Sequence, residues 1–255
     1  MIEPDNGEVP VKSVGTAFRI IELLAERGTT GVTELSHELD RAKSTIHDHL
    51  RTLEDLGYLH RDEEGTYRLS VKYLYIGGNA LESADDLQQV KLEIEKLAEL
   101  TGSTASACLL EGRTVFCVSV YQAKNSQNTY LRRGSNLPLH CTAPGKALLA
   151  TADRGDLLGK SDLAGYTDNT ITSHEELERK LHSIRQRNFA LEKGEYVEGI
   201  IGVSSAIHGR NGENGIAISV HDSQERLTGK RLQQDVQGQV QQTARQIESE
   251  ILNFN

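Results

Sequence analysis

A chain of 255 residues with 37% hydrophobic and 25% charged side chains can form two domains of ordinary size, each with its own core. No apolar run approaches the roughly 18 to 20 residues that span a bilayer, and the acidic start MIEPDNGEVPVK lacks the apolar centre of a secretory signal. With a net charge of −9 and three cysteines (Cys108, Cys117 and Cys141) in no CxxC spacing, the chain reads as a protein of the reducing cytoplasm with no membrane partner.

Near the N-terminus, Val14, Ala17, Phe18, Ile21 and Leu24 predict an amphipathic helix. Thr33 is then a good N-cap for a short helix carrying Leu35 and Leu39, and the chain breaks at Asp40–Arg41. Ser44 can cap a second helix, in which Ile46, Leu50 and Leu53 fall at i, i+4, i+7 and face inward. Lys43, Ser44, Thr45, His47, Asp48 and Arg51 are left on the outer face, where a major groove could receive them. Gly57 ends that helix. Tyr58-Leu59 and Tyr67-Arg68-Leu69 frame the turn Asp62–Gly65 as a small wing, which brings Arg61 and Arg68 to the same task. Helix, turn, helix and hairpin in this order form a winged helix-turn-helix pattern suited to duplex DNA; the plain alternative is a structural three-helix bundle with a hairpin. Charge sets a condition on the DNA reading. Residues 1–78 hold nine basic and fourteen acidic side chains, a net of −5, so phosphate contacts must come from a local basic face.

The Gly77-Gly78 pair reads as a turn that closes the first domain at residue 78. From Asp85 onward Leu87, Val90, Ile94 and Leu97 predict an amphipathic helix ended by Thr101-Gly102, so residues 79–101 form a linker helix, a dimer contact or a helix packed on the second domain. Residues 102–255 mix both periods. Ala105–Leu110 and Val115–Tyr121 read as a hairpin and Thr129–Leu131 as a further strand. Gly145–Ala150 and Glu175–Arg187 read as helices; Phe189–Glu192, Gly202–Ile207 and Gly215–His221 read as strands, the last two joined by the turn Gly209–Asn214. Leu232, Val236, Val240, Ala244, Ile247 and Ile251 mark a final helix. The order predicts an α+β fold with an antiparallel sheet.

Enzyme signatures fail on inspection. Pro144-Gly145-Lys146-Ala147 lacks the first glycine and the Ser/Thr of a phosphate loop, and neither HExxH nor GxSxG occurs. His140-Cys141 suggests a nucleophile or a metal site, against the reading of a small buried thiol beside a loop imidazole. No catalytic residue, metal or cofactor is expected. Two polar segments remain. Arg133–Lys146 is a loop running into a helix start whose free backbone N–H groups suit a carboxylate. Glu198–Ser205 and Ile218–His221 place Ser and His inside apolar strands, where they need partners from a ligand or from backbone.

The segments TELS, KSTIHDHLRTLEDLGYL, GTYRL, LPLHCTAPGKALLA, EGIIGVSS and AISV give the chain, from about Ser13 to its last helix, a resemblance to the IclR family of transcriptional regulators. The resemblance implies a winged helix-turn-helix, a linker helix and a GAF-like C-terminal domain that binds a small effector, often an organic acid or a sugar-derived catabolite. It also implies homodimers or homotetramers on palindromic double-stranded operators, acting as activators or repressors. Carried over residue by residue, the effector pocket would take Thr142, Ala143, Gly145, Glu192, Gly202, Ser219 and His221. The chain departs from the family at Gly202, where cysteine is frequent, at Ala206, where proline is, and at His221, where a small hydroxyl is common. A glycine beside a histidine predicts a wider and more basic pocket. Asp48 stands where a base is common; it can accept from cytosine N4 but repels phosphate. Two rivals are an enzyme whose N-terminal helices merely oligomerise it and a passive architectural DNA-binding protein.

Overall fold

The computed structural model describes residues 9–82, 87–126, 130–151, 157–158, 163–207 and 215–253. They fall into two compact units, Ile2–Ala84 and Asp85–Asn255.

In the first unit, α1 (Lys12–Arg27), α2 (Val32–Glu38) and α3 (Lys43–Asp55) enclose Ile20, Leu24, Leu35, Ile46 and Leu50, each at most 1% exposed. The inward face of α1 is turned from the expected one: Ile20, Leu23 and Leu24 are buried, whereas Val14 and Phe18 are exposed. Phe18 lies two residues from Ile20, about 200° around the helix, so one stripe cannot bury both. Neither expected cap forms. Gly31 precedes α2 and Ala42 precedes α3 without side-chain capping bonds, and Thr33 and Ser44 lie within the first turns. The Thr30 hydroxyl instead donates to Glu34 Oε2 at 2.6 Å. The turn between α2 and α3 is fixed by Asp40 at φ 48° and by Arg41 N–H donating to Ser36 O at 3.1 Å.

Helix α3 ends as its glycine predicts. With Gly57 at φ 76°, its N–H reaches Glu54 O and Tyr58 N–H reaches Leu53 O, both at 2.8 Å, which is a Schellman closure. Strands β2 (Leu59–Arg61) and β3 (Tyr67–Leu69) form the wing. A two-residue strand β1 (Thr29–Thr30), too short to leave a periodic signal, adds to the other edge of β3. The glycine pair is not a turn: α4 (Lys72–Glu82) runs through Gly77 and Gly78. Its start is held by Ser70, whose Oγ accepts Lys72 N–H at 3.0 Å. Interior glycine costs only about 1 kcal/mol, which a well-started helix absorbs.

The second unit is a six-stranded antiparallel sheet in the order β6-β5-β4-β9-β8-β7. Its strands are β4 (Thr104–Glu111), β5 (Thr114–Gln122), β6 (Asn136–Leu137), β7 (Ala190–Lys193), β8 (Ile200–Ile207) and β9 (Ile216–Ser223). The expected strand at Thr129–Leu131 is absent; Thr129 lies outside the described residues, Tyr130 and Leu131 are irregular, and the edge pairing goes to β6. The turn Gly209–Asn214 also lies outside the described residues. One face of the sheet, with Ala105, Ala107, Val203, Ile218 and Val220, is apolar and lies under α5 (Leu87–Thr101) and α8 (Gln237–Asn253), the latter entered through a π-helical stretch at Arg231–Val236. The other face lies under α6 (Ala143–Thr151), backed by α7 (His174–Arg187), and there the inward residues turn polar. Among the described residues no helix is long and apolar enough to cross a membrane.

Candidate functional site

Two sites follow from this framework. On the first unit, Lys43, Ser44, Thr45, His47, Asp48 and Arg51 are all exposed along α3, opposite Ile46, Leu50 and Leu53. Arg61 and Arg68 are exposed on β2 and β3, with the Arg61 guanidinium 5.7 Å from the centre of the Tyr67 ring. Arg51 Nε lies 3.9 Å from Asp55 Oδ2, and His47 Nδ1 lies 4.0 Å from Asp48 Oδ1. Such exposed pairs contribute about 0–1 kcal/mol, so these bases can turn to phosphate at little cost. Arg41, in the turn before α3, is exposed too and adds a base that the face pattern alone did not select.

On the second unit the register across the sheet assembles two rows on the face beneath α6. One row runs Ser106, Ser219, Ser204; the other runs Thr104, His221, Gly202, Glu192. These side chains alternate with the apolar ones facing α5 and α8, as strand geometry requires. Glu192 is fully buried. Its Oε2 accepts the Tyr130 hydroxyl at 3.0 Å and the Ala143 N–H at 3.1 Å, and lies 3.7 Å from His221 Nε2. Burial and the adjacent carboxylate push the Tyr130 phenol well above its usual range.

The free amides expected at the start of α6 are occupied. Glu192 takes the Ala143 N–H, Pro144 has none, Thr142 Oγ1 accepts Gly145 N–H at 3.1 Å, and Thr142 O accepts Lys146 N–H at 2.9 Å. The protein's own Glu192 thus caps the start of this helix. The wider pocket expected from Gly202 is absent as well. A Cβ there would lie 2.5 Å from His221 Nε2 and 3.0 Å from Ala143 Cβ, so the imidazole fills the space that glycine leaves. Ser219 Oγ donates to Ser204 Oγ at 3.1 Å, and Ser204 Oγ donates to Ile218 O at 2.9 Å. Among the described residues, the buried polar atoms without a hydrogen-bond partner include Glu192 Oε1, both ring nitrogens of His221 and Ser106 Oγ. Most such atoms in folded proteins are paired, and leaving one unpaired costs about 1–3 kcal/mol. A concentration of them in one place needs a reason.

Sequence reasoning missed Tyr130, Ser106 and the buried Lys146–Glu195 ion pair. Burial lowers the pKa of Lys146 and raises that of Glu195, so desolvation outweighs their mutual attraction. Thr170 Oγ1 donates to Glu195 O at 2.6 Å and holds the turn that presents Glu195. Nothing here resembles a nucleophile. Burial pushes the Cys141 thiol up to about 12, and His140 Nε2 is engaged at 2.9 Å with Ala164 O. No cluster of metal-binding side chains occurs among the described residues.

Comparison with known proteins decides the family. A model of the IclR helix-turn-helix domain matches residues 13–63, and a model of the bacterial transcriptional regulator IclR C-terminal domain matches residues 78–249. The chain belongs to the IclR family of transcriptional regulators. The HTH-type transcriptional regulator KdgR of Escherichia coli (strain K12) is 30% identical over 240 residues, covering 92% of this chain and 89% of that one. The crystal structure of the IclR transcriptional regulator from Alicyclobacillus acidocaldarius has a TM-score of 0.81 and 24% identity, covering 95% of this chain and 100% of that one. An IclR homolog complexed with 4-hydroxybenzoate, from Microbacterium hydrocarbonoxydans, has a TM-score of 0.77 and 20% identity, covering 94% and 99% of the two chains. The chain is therefore an IclR-type DNA-binding transcriptional regulator of α+β fold, with a C-terminal ligand-binding domain. The relatives are regulators, which sets aside the enzyme reading.

Proposed function

We propose that the first unit reads a palindromic operator through the exposed face of α3 and the wing, and that the second unit binds an organic acid or sugar-derived effector beneath α6. The chain works in the cytoplasm as a homodimer or homotetramer, and the exposed Leu74 and Tyr75 of α4 (77% and 73%) support self-association. The observation that carries the effector reading is the buried, partly unpaired cluster of Glu192, His221 and Ser106 on the polar face of the sheet. The neighbour that holds 4-hydroxybenzoate adds support for a small acid. An effector that prefers one of two arrangements of the oligomer shifts the population and with it the spacing of the recognition helices.

The DNA reading is tested on a duplex selected from a random pool by the full-length protein. Lys43→Ala and Arg51→Ala should each weaken binding by about 1–3 kcal/mol in gel shifts while the oligomeric state stays unchanged. Footprinting should protect half-sites about one helical turn apart, or a multiple of it. Variants that bind as tightly as the parent chain remove this face from the DNA.

A further inference from the structure

We propose that the chain carries a second ligand site, for an N-acylated amino acid, in a cleft at the open edge of β8 and apart from the residues beneath α6. The site begins with backbone that the sheet leaves unpaired. Ile200 O accepts Gly194 N–H at 2.7 Å, so the backbone polar groups of every second residue from Ile200 point toward β7. The pairing of β8 with β9 runs unshifted from Ile200–Ser223 to Ile207–Ile216, which carries that direction to the half-buried Ala206. Strand β7 starts at Ala190, opposite Ser204, so no strand faces Ala206. The far side of the sheet agrees. Cys117 bonds through both backbone groups to Gly134 and Ser135, so its backbone turns away from Cys108 on β4. Cys108 therefore turns toward Ala217 of β9, and Ala217 away from Ala206. The Ala206 N–H and C=O have no hydrogen-bond partner among the described residues.

Beside Ala206 lies a cleft of about 340 Å³, lined by helices from both faces of the sheet: Ala147 and Ala150 of α6, Arg185 of α7 and Arg245 of α8, with Phe189 ahead of β7. None of Glu192, Gly202, Ser219 and His221 lines it. Arg185 Nε donates to Ala150 O at 2.9 Å, which holds the guanidinium in place and leaves its terminal nitrogens for a ligand. Glu248, the acid on this lining, already has a partner. A ladder residue of this kind exchanges both bonds with the residue opposite, so Ala206 presents one donor and one acceptor to whatever takes that place. An N-acylated amino acid returns both. Its carboxylate accepts the Ala206 N–H, and its amide N–H donates to the Ala206 C=O. The second carboxylate oxygen is then available to the arginines, whose forked donors suit it. A free amino acid fits worse, because its ammonium stands among two guanidinium groups. Proline, frequent in the family at this position, removes the donor, so the site belongs to chains with another residue there.

The experiment is calorimetry on the full chain with N-acetyl-L-leucine and N-acetyl-L-phenylalanine. Each is compared with the free amino acid and with the same acid lacking the amide, 4-methylpentanoate or 3-phenylpropanoate. At least one acetylated acid should bind about ten-fold or more tighter than both of its controls, as expected when unpaired backbone groups gain partners. Ala206→Pro, which deletes the donor at an edge position outside the ladder, should weaken that acid by about ten-fold. Arg245→Gln should weaken it several-fold. Both variants are checked for an unchanged melting transition. Failure of both acetylated acids to bind, equal affinity without the amide, or parent affinity in folded Ala206→Pro overturns the site. Should Ala206→Pro melt early, Arg245→Gln decides, and parent affinity there overturns it too. Binding that is abolished by Gly202→Ala places the ligand beneath α6 and overturns the cleft while leaving the effector reading intact.

Discussion

Replacing Lys146 with methionine should lower the stability of the C-terminal unit by about 3–5 kcal/mol, the usual result of leaving one member of a buried ion pair without the other. Lys146 is fully buried on α6, and its ammonium meets the carboxylate of Glu195, itself 6% exposed. Methionine nearly matches the lysine stem in volume, so lost packing contributes little and the stranded carboxylate dominates. Lys146→Met with Glu195→Leu should recover most of the loss, because desolvation already works against both ions in the parent chain. Urea unfolding is followed by tyrosine fluorescence, which is uncontaminated since the chain has no tryptophan. A single variant with the parent midpoint would show that the pair is not buried as described.

Gly145→Ala should also be destabilising, against what helix propensity alone predicts. Alanine in a helix interior is favoured over glycine by about 1 kcal/mol. Here, however, a Cβ would stand 2.5 Å from Leu139 O, 2.6 Å from Pro138 O and 2.7 Å from Leu139 Cα. Those atoms are backbone, in a segment tied down by the Thr142 hydroxyl donating to Pro138 O at 2.7 Å. The clash cannot be relieved by turning a side chain. The net loss should be about 1–3 kcal/mol, with a matching fall in melting temperature. A raised melting temperature would mean that the start of α6 sits farther from residues 138–139.

Long periodic segments were legible in the sequence, and so was punctuation by single glycines. The inward stripe Ile46, Leu50 and Leu53 and the stop at Gly57 stand where spacing placed them, and the second unit is the antiparallel α+β arrangement that the alternation implied. The failures have physical causes. On α1, apolar residues outnumber what one core stripe can bury, so periodicity could not say which of them face water. At Gly77-Gly78 a local turn signal was overridden by the helix start at Ser70. The candidate site was only half visible. Thr142, Ala143, Gly202, Glu192 and His221 do converge, but no local pattern shows that Glu192 would reach 49 positions back to cap α6, or that Ser106 would join Ser219 and Ser204 in one row. Such groupings are products of register, which single-segment reading does not contain. The same holds for the Gly202–His221 exchange: a small residue suggested space, and a large one on the neighbouring strand took it.

The central claim is that one unit reads DNA while the other, through the buried Glu192–His221 site, sets how well it does so. Fluorescence anisotropy of the selected duplex, titrated with the parent chain and with Gly202→Ala in the presence and absence of the organic acid that binds best in a calorimetric screen, tests it most directly. The acid should shift the duplex Kd of the parent chain at least five-fold, a coupling of about 1 kcal/mol or more. Gly202→Ala should bind the duplex like the ligand-free parent and ignore the acid. Equal DNA affinity of the parent chain with and without bound acid, or loss of DNA binding by Gly202→Ala with no acid present, would contradict it.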